Sequence, residues 1–294
     1  MPVKQILLAI DKQTAIEVFI TGEQQPVLCT THPFAPATGN TFSTLNTNSY
    51  LQALRRAAGT LVVVNPRGMG QSSPLKSPED ATLSCLVEDL EKVRIHLNIP
   101  RWNFIGGSSG GDVGLLYALS HPEALQSLIV CSTTANGPRM LEDEQSIASP
   151  NHPMWAQDIA TFKAEAAKSG DQRTGYHWHN RRPGVWIYLK DNEPLMVAPL
   201  VGTQLTRQQA AEAMFATSSI AEQLHSITVP TLVLCGKNDP IIPCHHCEML
   251  ADIPHAQLVT FEQSGHDIAD DEPDLFCSTI QRFCSLTHKP TKKG

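Results

Sequence analysis

Three residues of the types that together activate a nucleophile occur in this chain in the order serine, aspartate, histidine. Ser108 lies in "GGSSGG", Asp239 in "CGKNDPIIP" and His266 in "QSGHD". A serine hydroxyl is a weak nucleophile at its ordinary pKa and needs a histidine base that a carboxylate orients. The three residues therefore predict a nucleophilic serine site assembled from distant parts of the sequence.

The glycines around Ser108 predict the turn on which such a serine must lie. "WNFIG" has the pattern of a buried strand, "GDVGLLYALS" has helical spacing, and residues 106–110 between them match the pattern G-x-S-x-G. This turn lifts the hydroxyl above the sheet, beside donors at a helix N-terminus. In the shifted register Ser109 would lie inside the helix, so the count from the strand favours Ser108. A glycine-rich turn that binds phosphate or nothing is the other interpretation.

Asp239 and His266 also follow apolar runs that predict strands. Asp239 comes after "TLVLCG" and His266 comes after "QLVTFE". In proteins whose nucleophilic serine lies on a G-x-S-x-G turn of this kind, the three residues follow one another along the chain in the order serine, acid, histidine. The competing acids are Asp112, Asp267, Asp270 and Asp271, and the competing bases are His32, His245 and His246.

The elements that must position these residues alternate between buried strands and amphipathic helices. "GTLVVVN" is a continuous apolar run, as in strands buried on both faces of a parallel sheet. The alternation predicts an α/β fold with a mostly parallel central sheet and helices on both faces. Ligands bind such sheets at the carboxyl ends of the strands, which is where all three candidate residues lie.

The alternation stops in the middle of the chain. We predict a core formed by residues 1–134 and 226–294, and an inserted, mainly helical cap (lid) over residues 135–225. A cap at this point of the sequence would cover the carboxyl ends of the strands. Within it, Trp178, Trp186 and Tyr188 are candidates for an apolar substrate pocket, although such residues also hold a cap together.

Composition excludes several classes of partner. The 294 residues carry a formal net charge of -7, which argues against nucleic-acid binding. We expect no membrane segment, because no run is long and apolar enough to cross a bilayer. We see no export signal and expect a cytoplasmic protein whose eight cysteines form no disulfide framework.

Cofactors are not expected. "CHHC" at residues 244–247 consists of metal-ligating residue types. Four consecutive side chains cannot all point to one metal ion, however, and no second pair of ligands lies nearby in the sequence. "PRGMGQ" does not have the spacing of a dinucleotide site. We therefore predict an enzyme without metal or organic cofactor.

These motifs resemble those of the α/β-hydrolase fold superfamily, in particular capped serine hydrolases of the prolyl aminopeptidase and carboxylesterase kinds. The matching segments are "NPRGMGQSSP", "NFIGGSSGG", "VPTLVLCGKNDPIIP" and "SGH". The resemblance implies Ser108 as nucleophile, Asp239 as acid and His266 as base. It also implies an oxyanion hole formed by the backbone N–H groups of Ser109 and Phe34.

The sequence departs from the family pattern at three places. Asn65 replaces the aspartate of the family's Asp-x-Arg-Gly-x-Gly-x-Ser loop. "His32-Pro33-Phe34" replaces the His-Gly-x segment that supplies the second oxyanion donor, and Ser109 replaces the tryptophan usual in prolyl aminopeptidases. None of the acidic residues of the predicted cap can be singled out as the group that would hold a substrate's α-ammonium.

The resulting expectation is a serine hydrolase that acts on a small carboxylic ester or amide through an acyl-enzyme. A prolyl aminopeptidase acting on short peptides is the alternative within the same chemistry. A non-catalytic receptor for a small ligand on the same fold is the alternative of another class. The oligomeric state is left open.

Overall fold

The computed structural model describes residues 2–33, 49–146, 149, 151–153 and 219–287, and the backbone of residues 174–176 and 187–188. The strands are β1 (Val3–Ala9), β2 (Ala15–Gly22), β3 (Val27–Thr31), β4 (Thr60–Val64), β5 (Trp102–Gly107), β6 (Leu125–Cys131), β7 (Thr174–Tyr176), β8 (Ile187–Tyr188), β9 (Thr231–Gly236) and β10 (Gln257–Phe261). The α-helices are α1 (Ser49–Ala57), α2 (Leu83–His96), α3 (Ser109–Ser120), α4 (Gly137–Glu142), α5 (Cys244–Glu248), α6 (Ile268–Asp271) and α7 (Pro273–Thr287).

One sheet of eight strands organises the described residues, in the order β1-β2-β4-β3-β5-β6-β9-β10. The pairs β1–β2 and β2–β4 are antiparallel, and every other neighbouring pair is parallel. The predicted mostly parallel sheet is thus confirmed. Since parallel strands end at the same edge, the loops after β5, β9 and β10 emerge together.

Helices cover both faces of the sheet, as the sequence predicts. Leu90 of α2 and Val113 of α3 belong to the core on one face, with Phe104 of β5. Leu54 of α1 and Phe276 of α7 belong to the core on the other face. Adjacent strand residues alternate between the two cores because successive side chains of a strand point to opposite sides.

The loop after β4 is held by buried charges. Arg67 forms a two-pronged pair with Asp89, at 2.7 and 2.8 Å, and reaches Asp80 at 2.6 Å. The planar guanidinium matches a carboxylate in this geometry, which a lysine cannot do. The segment "NPRGMG" is therefore anchored to α2 and to the turn that precedes it.

The predicted insertion begins and ends at one place. The backbone N–H of Ile220 donates to the carbonyl of Ala135 at 2.9 Å, and Asn136 and Ser219 form an antiparallel bridge. The chain therefore returns to the sheet where it left it. Strands β7 and β8 pair in an antiparallel ribbon that the sequence did not predict. The cap assignment of residues 135–225 stays a prediction, because most of them lie outside the described residues.

One disulfide corrects the expectation drawn from the cysteines. Cys235 of β9 and Cys244 of α5 are bonded, with an S–S distance of 2.21 Å, while the other six cysteines are free. The sequence analysis expected no disulfide framework among the eight cysteines. The loop after β9 instead brings α5 back beside the strand end, with the two Cα atoms 5.7 Å apart, which lies within the range a disulfide spans.

Among the residues that the structure describes, no helix combines the length and the apolar character needed to cross a bilayer.

Candidate active site

Ser108 occupies the turn between β5 and α3 in a strained backbone conformation. Its φ is 52° and its ψ is -126°, a combination that residues with a side chain rarely adopt. The conformation is held on both sides: the Ser108 N–H donates to the carbonyl of Cys131 at 2.9 Å, and its carbonyl accepts from Gly111 at 2.7 Å. This is the local geometry predicted for a nucleophile elbow.

Two glycines allow the turn to close. A Cβ at Gly106 would lie 1.9 Å from the carbonyl oxygen of Gly110, and a Cβ at Gly110 would lie 2.8 Å from the carbonyl of Thr31. A Cβ at Gly107, between them, would have its nearest neighbour at 3.8 Å. The first and last positions of the motif thus require glycine for close backbone approach, and the second does not.

Asp239 and His266 are brought together from the loops after β9 and β10. Nδ1 of His266 lies 2.8 Å from Oδ2 of Asp239. The other carboxylate oxygen, Oδ1, accepts hydrogen bonds from the N–H groups of Ile241 and Ile242, at 2.9 and 3.0 Å. The Asp239 side chain is fully buried. The carboxylate is thereby fixed in orientation and leaves one oxygen for the imidazole.

The two loops are pressed together by their backbones. A Cβ at Gly236 would lie 1.9 Å from the carbonyl oxygen of Gly265. The N–H of Lys237 donates to Phe261, and that of Asn238 donates to Ser264, both at 2.9 Å. This crossing sets the separation of the aspartate and the histidine.

The electrostatic environment of His266 favours its charged form. Burial by itself lowers the pKa of His266, but the charge of Asp239 and the hydrogen bond to it outweigh burial, so the pKa is raised above the ordinary value. A base with a raised pKa accepts a proton more readily. The pair is thus arranged to take a proton from a group that approaches the free side of the ring.

His32 lies near this pair and differs from it electrostatically. Burial, and next the charge of His266, lower the pKa of His32 to about 4. Its ring approaches Gly110, where an added Cβ would lie 3.8 Å from Cδ2 of His32. His32 is therefore neutral near pH 7 and packs against the elbow.

The competing acids have other partners. Asp112 accepts a hydrogen bond from the Thr133 hydroxyl at 3.2 Å, and burial raises the pKa of Asp112 to about 7. Asp271 accepts from the N–H of Gly265 at 2.8 Å. Asp239 hydrogen-bonds to the His266 ring, whereas these contacts of Asp112 and Asp271 are made to other residues.

Not every predicted site residue can be placed. Ser109 is the first residue of α3 and follows Ser108 directly. Phe34, Trp178 and Trp186 lie outside the described residues, and for Tyr188 only the backbone, within β8, is described. The second oxyanion donor and the substrate pocket therefore stay predictions.

One residue that contacts the site, Ser132, was not predicted from the sequence. The hydroxyl of Ser132, just beyond β6, donates to the carbonyl of His266 at 2.9 Å. Ser132 itself has a φ of 47°. Ser132, which follows β6 and belongs to no sequence motif, thus supports the loop that carries His266.

Two clusters of described residues, neither of which includes Asp239 or His266, have groups that could hold a metal ion. Asp143, His245 and His246 form one cluster, and Glu91, His121 and Glu123 form another. The first contains both histidines of "CHHC", for which the sequence offered no further ligand.

An eight-stranded, mostly parallel sheet, a strained serine turn after β5 and an Asp–His pair on the loops after β9 and β10 define the α/β hydrolase class of proteins. The family model described as alpha/beta hydrolase fold matches residues 45–273. The chain belongs to this family.

Its relatives include several proteins named as hydrolases. The RutD protein of Pseudomonas savastanoi pv. phaseolicola, whose name assigns it to carbamate hydrolysis, is 30% identical over 242 residues, which cover 79% of this chain and 86% of that protein. A proline iminopeptidase of Lactiplantibacillus plantarum is 24% identical over 239 residues, covering 76% and 81%. The structure of an alpha/beta fold family hydrolase from Bacillus anthracis str. Sterne superposes with a TM-score of 0.70 at 21% identity and covers 97% of this chain and 99% of that one, a likeness of fold.

Proposed function

We propose that this protein is a serine hydrolase that cleaves a small carboxylic ester or amide through an acyl-enzyme. The observation that carries the proposal is the 2.8 Å contact between His266 and Asp239, on loops at the same edge of the sheet as the strained turn of Ser108. A buried, oriented carboxylate beside an imidazole is the arrangement that activates a serine.

In the proposed reaction, Oγ of Ser108 attacks the substrate's carbonyl carbon and its proton passes to Nε2 of His266. The positive charge formed on the ring is stabilised by Asp239, which holds Nδ1–H. The negative charge on the carbonyl oxygen is stabilised by the backbone N–H groups of Ser109 and Phe34. Ser109 can contribute because the first N–H groups of a helix have no partner within the helix.

The tetrahedral intermediate then collapses, and the leaving alcohol or amine takes the proton from His266. Water repeats the sequence in the second half of the reaction: His266 removes its proton, the hydroxide attacks the acyl carbon, and Ser108 leaves with the proton restored. The cycle is complete without a cofactor.

The class of carbonyl compound that the enzyme cleaves is inferred from the relatives. One relative is named for carbamate hydrolysis and the other as a proline iminopeptidase, and carbamates and peptides both present a carbonyl carbon to a nucleophile. An ester is our lead and a proline peptide is the second candidate, which the iminopeptidase relative favours. Trp178, Trp186 and Tyr188 remain the proposed pocket residues in either case.

A fluorophosphonate probe tests the nucleophile. We expect the probe to label the wild-type chain and Ser109→Ala, and to leave Ser108→Ala unlabelled. Labelling of Ser108→Ala at the wild-type rate would overturn the proposal, and loss of labelling only in Ser109→Ala would move the nucleophile by one residue.

Turnover assays separate the substrate classes. Hydrolysis of short p-nitrophenyl esters with little release of naphthylamine from proline-naphthylamide would support the esterase, and the reverse preference would support the peptidase. If the probe labels Ser108 while neither substrate turns over, the receptor alternative gains support.

A further inference from the structure

Asp143, His245 and His246 converge at the point where the predicted insertion begins. Oδ2 of Asp143 accepts hydrogen bonds from Nε2 of His245 at 2.7 Å and from Nε2 of His246 at 2.8 Å. One oxygen and two imidazole nitrogens thus meet at a single position. The sequence analysis noted the metal-ligand residue types of "CHHC" but did not predict this cluster, because Asp143 lies about a hundred residues earlier in the chain.

The donor atoms are of the kind that bind zinc and similar ions. Imidazole nitrogen and carboxylate oxygen are common zinc ligands, and three protein ligands with water in the fourth position are a frequent arrangement. Calcium and magnesium prefer sites made of oxygen alone. The cluster therefore selects for a divalent first-row transition metal.

The spacing of the three atoms is close to what such an ion requires. Candidate ligand atoms of the cluster all lie within 4.8 Å of one another. Around a tetrahedral zinc ion, ligand atoms are about 3.3 Å apart, given metal–ligand bonds of about 2.1 Å. The two Asp–His separations would have to lengthen by about half an ångström, and the proton on Nε2 of each neutral ring would move to Nδ1 so that Nε2 can bind the ion.

The three side chains are held in place by other contacts. Oδ1 of Asp143 accepts from the N–H of Gln145 at 2.9 Å, which fixes the carboxylate and leaves Oδ2 for the histidines. On the other side, α5 is attached to β9 through the Cys235–Cys244 disulfide. A hydrogen-bonded ligand carboxylate of this kind is typical of built metal sites.

The burial of two of its three side chains also distinguishes this cluster from exposed side chains that meet by chance on the surface. The His246 side chain is 2% exposed and that of Asp143 is 16% exposed, while that of His245 is 45% exposed. Nδ1 of His246 has no hydrogen-bond partner among the residues that the structure describes. The cluster is thus closed on the His246 side and open on the His245 side, where an ion and its water ligand can enter.

One charge works against a cation. Arg139 lies one helical turn before Asp143 and is among the groups that lower the pKa of His246, after burial. Its residue is exposed to solvent. Solvent and salt screen an exposed charge of this kind, so we expect it to weaken the site without abolishing it.

We propose that Asp143, His245 and His246 form a binding site for a divalent transition-metal ion such as zinc. The ion joins α4, at the start of the insertion, to α5, which follows the loop of Asp239. The same segment is already attached to that loop, since the Ser146 hydroxyl donates to the carbonyl of Ile241 at 2.5 Å. The ion is a structural clip between these segments and takes no part in the proposed hydrolysis.

The site is tested with the untagged full chain, freed of metal by a chelator with the disulfide left oxidised, and titrated with zinc chloride by calorimetry. We expect one equivalent to bind at micromolar concentration or below, and Tm to rise with zinc. His245→Ala and Asp143→Asn should weaken binding at least tenfold and lose the rise in Tm. His121→Ala, which removes a ligand of the second cluster, is the matched control and should bind zinc as the wild type does.

Three results would overturn the proposal: no saturable binding, binding that persists unchanged in both variants, as thiol ligands would give, or loss of binding in His121→Ala. His245 is largely exposed, so His245→Ala keeps the test decisive if Asp143→Asn fails to fold. Ester turnover and probe labelling are measured separately, and neither outcome bears on the metal site.

Discussion

The side-chain amide of Asn65 donates a 2.7 Å hydrogen bond to the buried carboxylate of Glu17. The same carboxylate accepts from the Gln5 side chain at 2.6 Å and from the N–H of Gln71 at 2.9 Å. Asn65 stands where the Asp-x-Arg-Gly-x-Gly-x-Ser loop that this segment resembles has an aspartate. The asparagine is explained by Glu17, because an aspartate there would bring two carboxylates together in the interior.

Asn65→Asp should therefore destabilise the fold. Two like charges with little access to water repel strongly, and we expect a loss of about 3 kcal/mol at pH 7 in urea unfolding. Adding Glu17→Gln should recover much of the loss, since it removes the repulsion. Equal stability of Asn65→Asp and wild type would contradict this account of the pair.

Gly106→Ala and Gly107→Ala form a matched pair at the elbow. The Cβ of the first would lie 1.9 Å from the carbonyl of Gly110, whereas that of the second has its nearest neighbour at 3.8 Å. We expect Gly106→Ala to cost roughly 3 kcal/mol or more and to lose probe labelling, because strand and helix must move apart. Gly107→Ala should stay within about 1 kcal/mol of wild type and remain labelled. Similar stabilities would show that the two backbones do not need this close approach.

Asp239→Asn should lower kcat for a good ester by roughly 10⁴, by analogy with the loss of the acid in other serine triads. The expected cause is the loss of the negative charge and of the correct ring tautomer at His266. Asp112→Asn is the control, because the Asp112 carboxylate is hydrogen-bonded to the Thr133 hydroxyl and has no assigned role in the reaction. Circular dichroism should show both variants folded. Near-normal turnover in Asp239→Asn together with an inactive Asp112→Asn would reassign the acid.

The activity should depend on the ionisation of His266. The ring must be neutral to accept a proton, so kcat/KM should fall as the pH is lowered through the pKa of His266, which Asp239 raises above the ordinary value of about 6.5. In Asp239→Asn the raising charge is gone, and the imidazole titration followed by NMR should move to lower pH. A midpoint that moves to higher pH in this variant would contradict the assigned pairing.

Asp112 should make the stability of the fold depend on pH. Burial raises the pKa of its carboxyl from 3.8 to about 7, so the folded state favours the neutral form. The favourable contribution of neutral Asp112 to the free energy of unfolding is complete below the pKa that the carboxyl has in the unfolded state. It is lost as the pH rises towards the pKa of the folded state. Asp112→Asn stays neutral, so its stability relative to wild type should increase by about 4 kcal/mol between pH 4 and pH 8. A difference that is constant over this range in urea unfolding would show that Asp112 does not titrate there.

The amino-acid sequence by itself determined the local features of the site. A continuous apolar run predicts a buried strand, and the glycines at positions 106 and 110 predict a tight turn between such a strand and a helix. Asp239 and His266 directly follow apolar runs, and parallel strands end at one edge of a sheet. These inferences need only neighbouring residues and the general geometry of α/β sheets.

The tertiary structure decided which distant residues meet. Asp239 rather than Asp112 faces His266 because the loops after β9 and β10 cross where Gly236 touches Gly265. Long-range packing also brings Cys235 to Cys244, Glu17 to Asn65, and Asp143 to His245 and His246. Residue type and spacing do not encode these pairs, because each depends on where loops turn in space, and that position is set by the packing of the whole sheet and its helices.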